Sequence, residues 1–291
     1  MNSSELRIAV TAASGRLGRL AVSELRKRIP ETRILATVRR EAVATEFRSM
    51  GVAAQIANYD EPESLDRAFE GVNRILIVSS NESGRRVKQH SNAIDAAKRA
   101  GVEFVAYTSV LHADQSAMAL AAEHLDTEKY LKASGLSYAL LRNGWYTENY
   151  TAMAKVAVAR GVLLGSAGLG LIASAPRIDF AEAAANVLTS TSLHSGDIYE
   201  FAGDHAYTLY ELAVEISRQS NREVKYKDLP PSDYEEELIK MGIPARMAAT
   251  LADCDLAASK GALNDESLQL SSVLGRPTTP LADVVALALK S

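Results

Sequence analysis

Leu6-Arg7-Ile8-Ala9-Val10-Thr11-Ala12-Ala13-Ser14-Gly15-Arg16-Leu17-Gly18 reads as a short apolar strand running through a small-residue turn into a helix. Leu17, Leu20, Ala21, Leu25 and Ile29 continue it on one helical face. Such a junction offers bare backbone N–H groups and the positive end of a helix dipole to a pyrophosphate. Two of the three usual glycines are present, and Ala12 stands where the first belongs. By itself the turn also suits a plain strand-to-helix connection, so its surroundings decide the reading.

Those surroundings repeat the same rhythm. Residues 34–38, 52–57, 74–78, 104–108 and 138–141 are apolar on consecutive positions, as strands covered on both faces are. Helical spacing fills the gaps, with Leu65, Ala68 and Phe69 in one stretch and Ile94, Ala97 and Ala100 in another. Gly71, Gly101 and Gly135 each close a helix before the next strand. The alternation predicts an α/β fold, a Rossmann-like doubly wound parallel sheet. Residues 1–150 are expected to form the NAD(P)-binding domain, with the sheet completed by segments near 178–203. Residues 151–291 are read mostly as a small, discontinuous C-terminal substrate lobe.

Composition narrows the classes. The chain has 291 residues, 32 Lys+Arg against 36 Asp+Glu and a net charge of −4, so no concentrated positive face for nucleic acid is expected. The one cysteine, Cys254, allows no internal disulfide, and the five histidines lack metal-ligand spacing. Neither a secretory leader nor a membrane-spanning run is read, so a cytoplasmic protein is expected, as monomer or homodimer.

The second strand ends Thr37-Val38-Arg39-Arg40, with no carboxylate until Glu41. An acidic residue there would bond a ribose 2′-hydroxyl, whereas a guanidinium fork suits a 2′-phosphate. The expectation is NADPH, with NADH weaker; a surface arginine pair opening a helix is the alternative. After the third strand, Asn58 and Tyr59 can contact adenine, or Asn58 can form an Asx turn before Pro62.

None of the eleven tyrosines stands four residues before a lysine, so the Tyr-x-x-x-Lys proton relay of ordinary short-chain dehydrogenases is missing. The lysine in the corresponding helix, Lys129, has Leu125 four residues earlier. Hydride transfer to an acceptor that is already electrophilic, such as a quinone, needs no such relay.

The turn at 11–18, Ala106-Tyr107-Thr108-Ser109-Val110-Leu111-His112-Ala113-Asp114, and above all Leu140-Leu141-Arg142-Asn143-Gly144-Trp145-Tyr146-Thr147-Glu148-Asn149-Tyr150 resemble bacterial NAD(P)H:quinone oxidoreductases of the NmrA-like, atypical short-chain dehydrogenase branch. Ala257-Ala258-Ser259-Lys260-Gly261 and Gly275-Arg276-Pro277-Thr278-Thr279-Pro280-Leu281 add to the likeness, which covers essentially the whole chain. The resemblance implies a preference for NADPH and two-electron reduction of quinones; nothing in the chain suggests a flavin site, and no metal is expected. Relatives include reductases of triphenylmethane dyes and non-enzymatic NADP(H) sensors, and these are the alternatives.

Carried over, the phosphate loop falls on Thr11, Ala12, Ala13, Ser14, Gly15, Arg16 and Leu17, and the ribose-phosphate arginine on Arg39. Ser79 and Ser80, with Asn81 and Glu82, fall where the nicotinamide ribose and substrate approach. Asn143 and Gly144 fall beside the nicotinamide. Ala12 departs from the family's glycine, and Asn58 from a common Asp. A positive φ at Ala12 would strain the turn. His112 is a candidate proton relay or a backbone-bonded loop residue. Lys129 is a candidate for the ribose or for pairing with a carboxylate. Trp145 and Tyr146 can form a flat wall for a planar acceptor or pack the core.

Overall fold

The computed structural model describes residues 6–192 and 195–290. Residues 1–5, 193–194 and 291, which belong to stretches expected as the NAD(P)-binding domain and the lobe, lie outside the described residues.

The chain begins with β1 (Ile8–Val10), α1 (Arg16–Arg26), β2 (Ile34–Val38), α2 (Glu41–Ser49), β3 (Ala53–Ile56) and α3 (Pro62–Phe69). It continues with β4 (Arg74–Ile77), α4 (Arg86–Arg99), β5 (Phe104–Val110), α5 (Ala119–Ala133) and β6 (Tyr138–Asn143). Then come α6 (Glu148–Thr151), α7 (Ala154–Arg160), β7 (Val162–Gly165), α8 (Arg177–Thr189) and β8 (Asp197–Phe201). The remainder is α9 (Leu209–Ser220), β9 (Lys225–Asp228), α10 (Pro231–Lys240), α11 (Ala245–Ala258), α12 (Gln269–Leu274) and α13 (Leu281–Lys290). These elements form two compact units. One holds the chain up to Val110, Glu123–Asn143 and Arg177–Tyr199; the other holds Leu111–Ala122, Gly144–Pro176 and the chain from Glu200 onward.

A seven-stranded sheet in the order β3-β2-β1-β4-β5-β6-β8 organises the first unit. Pairings from β3 through β6 are parallel, and Val10 of β1 lies opposite both Ala36 and Leu76. Every residue of β1, β2, β4 and β5 is buried, which is why their apolar runs do not alternate. A core of Phe69, Ile75, Ile77, Ala93, Tyr107, Leu131 and Leu140 fills the space between strands and helices. Burying each large side chain contributes about 2 kcal/mol. On α1, Glu24 is buried and neutralised by Lys27 and Arg28, while Arg28 also reaches Asn186 and Glu182 of α8.

The second unit adds a two-stranded parallel sheet, β7 with β9, which the sequence reading did not anticipate. Each strand has four residues, and β9 reads Lys-Tyr-Lys-Asp, too short and polar to leave a periodic signal. Tyr234, Leu238, Ala248 and Ala252 lock α10 to α11. Thr208 and Glu211 cap α9 reciprocally. Among the described residues, no helix is long and apolar enough to cross a membrane, and no group of side chains could hold a metal ion.

Candidate functional site

Because β1 through β6 are parallel, the loops after β1, β2, β4 and β6 all leave the first unit from one edge. Open α/β sheets bind ligands there. The turn after β1 is stitched to both neighbouring strands, Thr11 N–H donating to Leu76 and Ala13 N–H to Thr37. Ala12 has φ +46°, so its carbonyl turns back and accepts the Gly15 N–H at 2.9 Å. The methyl in this left-handed conformation costs about 1 kcal/mol, strain of the kind that persists at ligand-binding turns. Gly18 is fixed by space: a Cβ there would lie 2.6 Å from the Ala12 carbonyl oxygen and 2.8 Å from Ala13 Cα. No side chain caps α1 and its first turn holds no acid, so no negative charge of its own opposes an anion at that end.

Thr11 and Tyr59 turn inward. The Tyr59 hydroxyl lies 2.5 Å from Thr11 Oγ1 and donates to the Val78 carbonyl at 2.7 Å, and burial pushes its pKa above the ordinary tyrosine range. Both therefore brace the turn from below. Asn58 forms the Asx turn, its Oδ1 accepting the Asp60 N–H at 3.2 Å while Nδ2 donates to Glu61. Arg39 extends into solvent, with Nη1 3.2 Å from Glu82 Oε1.

The loop after β4 is held from beneath. Ser79 N–H donates to Thr108, and Ser80 N–H donates to His90 Nε2 at 2.9 Å. The Ser80 hydroxyl bonds Gln89, and the Ser80 carbonyl accepts from Arg86. With all its polar groups engaged inside the protein, Ser80 shapes the edge through its backbone rather than its hydroxyl. Burial lowers the His90 pKa to about 3, so the ring is neutral. Since Nε2 accepts, the proton sits on Nδ1, facing Thr127 Oγ1 at 3.2 Å. Tyr107 and His124 form a second buried pair, 2.7 Å apart.

Asn143 ends β6. It is buried, and its Oδ1 has no hydrogen-bond partner among the described residues. An acceptor left that way costs about 1–3 kcal/mol, which a ligand amide donor would recover. Next to it on β6, Arg142 is held through two bonds by Glu128 of α5, which also accepts from Ser109 at 2.6 Å. The sequence reading missed this triad. Its signal is a charge inside the apolar strand Tyr138–Asn143 and another in phase with the inward residues His124, Thr127 and Leu131.

Thus Thr11, the turn through Leu17, Arg39, Ser79, Ser80, the exposed Asn81 and Asn143 share one edge of the first unit. Lys129 does not converge with them: it is exposed on α5, its Nζ 3.0 Å from Asp126.

In the second unit, His112 has φ +51°; its N–H donates to Glu200, and its Nε2 lies 3.2 Å from the Asn264 carbonyl. Gly144 donates its N–H to Phe201 at 2.7 Å, and a Cβ on Gly144 would lie 2.9 Å from that carbonyl oxygen. The Trp145 carbonyl accepts from Ala175, and Tyr146 bridges to Ala175. Trp145 Nε1 is buried without a partner among the described residues.

A sequence model of the NmrA-like family matches residues 4–273. Quinone oxidoreductase 2 of Escherichia coli (strain K12) is 48% identical over 279 residues, spanning 96% of this chain and 97% of that one. The crystal structure of an E. coli NADPH-dependent quinone oxidoreductase complexed with NADPH superposes with a TM-score of 0.94 at 47% identity, covering 97% and 99% of the two chains. A Citrobacter sp. triphenylmethane reductase complexed with NADP(H) gives 0.93 at 33% identity, again over 97% and 99%.

Proposed function

This chain belongs to the NmrA-like family, and we propose that it is an NADPH-dependent quinone oxidoreductase. The observation that carries the reading is the single edge bearing an uncapped helix N-terminus, Arg39 and the unpartnered Asn143 Oδ1. These groups match, in order, a pyrophosphate, a 2′-phosphate and a carboxamide. The 48% identity to an E. coli quinone oxidoreductase supports the choice of acceptor.

NADPH supplies the hydride, and a proton completes the two-electron reduction of quinone to hydroquinone. The protein binds and orients. The turn at 12–17 receives the phosphates, and Gly18 lets α1 approach the turn closely. His90, Gln89 and Arg86 fix the Ser79–Ser80 backbone as a preformed shelf, so ordering it costs little on binding. Asn143 aligns the carboxamide. The Trp145–Tyr146 segment suits a planar ring. The His112 ring is engaged with the Asn264 carbonyl, so we assign the proton to solvent. NADH is the poorer donor, because Arg39 then lacks its phosphate. We place the enzyme in the cytoplasm, as a monomer or homodimer.

The test is to follow NADPH absorbance with the purified protein and a panel of benzoquinones, naphthoquinones and triphenylmethane dyes. Oxidation with quinones is expected. Tight NADPH binding without turnover of any acceptor would point to a sensor instead.

A further inference from the structure

We propose that Glu82 limits the preference for NADPH over NADH by competing with the 2′-phosphate for Arg39. The proposal rests on the assignment of Arg39 to that phosphate. In the sheet, β1 lies between β2 and β4, so two strand spacings, about 10 Å, separate the latter. Arg39 directly follows β2 and Glu82 lies beyond β4, and their side chains meet with Nη1 3.2 Å from Oε1. The ion pair therefore spans the exit of β1, where the phosphate turn begins.

The carboxylate is not a loose surface charge. Its Oε2 accepts from Gln89 Nε2 at 3.1 Å and lies 3.2 Å from Arg85 Nη1. Gln89 is buried and also bonds Ser80 and Asp60, and Arg85 reaches Asp60 at 2.8 Å. Glu82 is thus tethered from the β4 side, whereas Arg39 is 65% exposed and able to swing. A neutral ribose 2′-hydroxyl leaves the Arg39–Glu82 pair intact. A 2′-phosphate has to share or take the guanidinium, and it comes to rest beside a carboxylate that Gln89 and Arg85 hold on the β4 side. Like charges oppose each other there, so Glu82 weakens NADPH binding while leaving NADH nearly untouched.

The experiment measures Kd of the full chain for NADPH and NADH, by nucleotide fluorescence, in wild type, E82Q, R39Q and the double variant. E82Q keeps the shape and removes the charge. NADPH is expected to bind about two- to fivefold tighter to E82Q, the scale of an exposed pair. NADH affinity stays the same, and the gain shrinks as salt is added. In the R39Q background, E82Q should give less of this gain, because the competition runs through Arg39. Unchanged or weaker NADPH binding in E82Q, with R39Q losing the NADPH preference, overturns the proposal and leaves the Arg39 assignment standing. An undiminished NADPH preference in R39Q overturns the assignment and the proposal together.

Discussion

The Glu128 carboxylate takes the Arg142 guanidinium on both oxygens, Nε to Oε1 at 2.9 Å and Nη2 to Oε2 at 2.8 Å, with neither residue more than 3% exposed. Two charges in so dry a place depend on each other more than the fold depends on either. Arg142→Met leaves the buried Glu128 with only the half-exposed Lys132, 3.8 Å away, to offset its charge and should cost about 3 kcal/mol. Adding Glu128→Leu should recover a good part of that loss. Urea unfolding of the two variants checks this; equal losses in single and double variants would contradict it.

Ala12 and Gly18 make opposite demands on the same turn. Ala12→Gly relieves a left-handed φ and should raise stability by up to about 1 kcal/mol, less the entropy the unfolded chain regains. Gly18→Ala drives a methyl into the Ala12 carbonyl, 2.6 Å away. It should cost about 1–3 kcal/mol and weaken NADPH binding by tenfold or more, as the turn is displaced. Thermal unfolding and NADPH titration of both variants measure the two effects.

These features differ in how far they could be read from residue order. The strand–helix alternation was legible because β1, β2, β4 and β5 are buried on both faces and so carry unbroken apolar runs. Arg39 could be singled out because a position after the second strand discriminates by charge, and the structure leaves its side chain exposed beside Glu82. The sign of φ at Ala12 is not written in residue order, because it hinges on how the turn is stitched to Leu76 and Thr37. The fastening of the Ser79–Ser80 backbone was not legible either, since His90, Gln89 and Arg86 come from a helix that reads as an ordinary amphipathic segment. For Lys129 the residue order left two roles open, the ribose or a nearby carboxylate; Thr127 and Glu128 take the inward phase, and Lys129 pairs outside with Asp126 at 3.0 Å.

Acid should expose the buried histidines. The folded chain keeps His90 neutral down to about pH 3, because burial lowers its pKa to about 3, whereas an unfolded histidine binds a proton near pH 6.5. Below that value the unfolded state gains a proton that the folded state refuses, so stability falls with falling pH. His124 is shifted in the same direction by burial. Between about pH 6.5 and pH 5, His90 alone should remove about 2 kcal/mol. Unfolding curves of wild type and His90→Gln over that interval test it: the variant should show a shallower slope, and parallel slopes would contradict the account.

Asp255 should act with its own sign. It accepts from the Tyr150 hydroxyl at 2.8 Å and the Ser166 N–H at 2.9 Å, yet burial raises its pKa to about 6. The folded state then holds a proton between about pH 4 and pH 6 that the unfolded state has lost, so this group favours folding at the acid end and its contribution disappears as pH rises through 6. The share amounts to about 2 kcal/mol between about pH 4.5 and pH 7.5. Asp255→Asn should remove that dependence, whatever its effect on absolute stability. Comparing the two unfolding profiles gives the difference directly.

Hydride transfer from NADPH directly to a quinone is the reaction on which the proposed function stands or falls. The direct measurement is a single turnover of protein with NADPH deuterated on the transferring face of nicotinamide C4, mixed with an excess of quinone and no other cofactor. NADPH absorbance should be lost one to one with the formation of hydroquinone, slowed by a primary isotope effect. NADPH that stays bound and unoxidised in the presence of every quinone would contradict it.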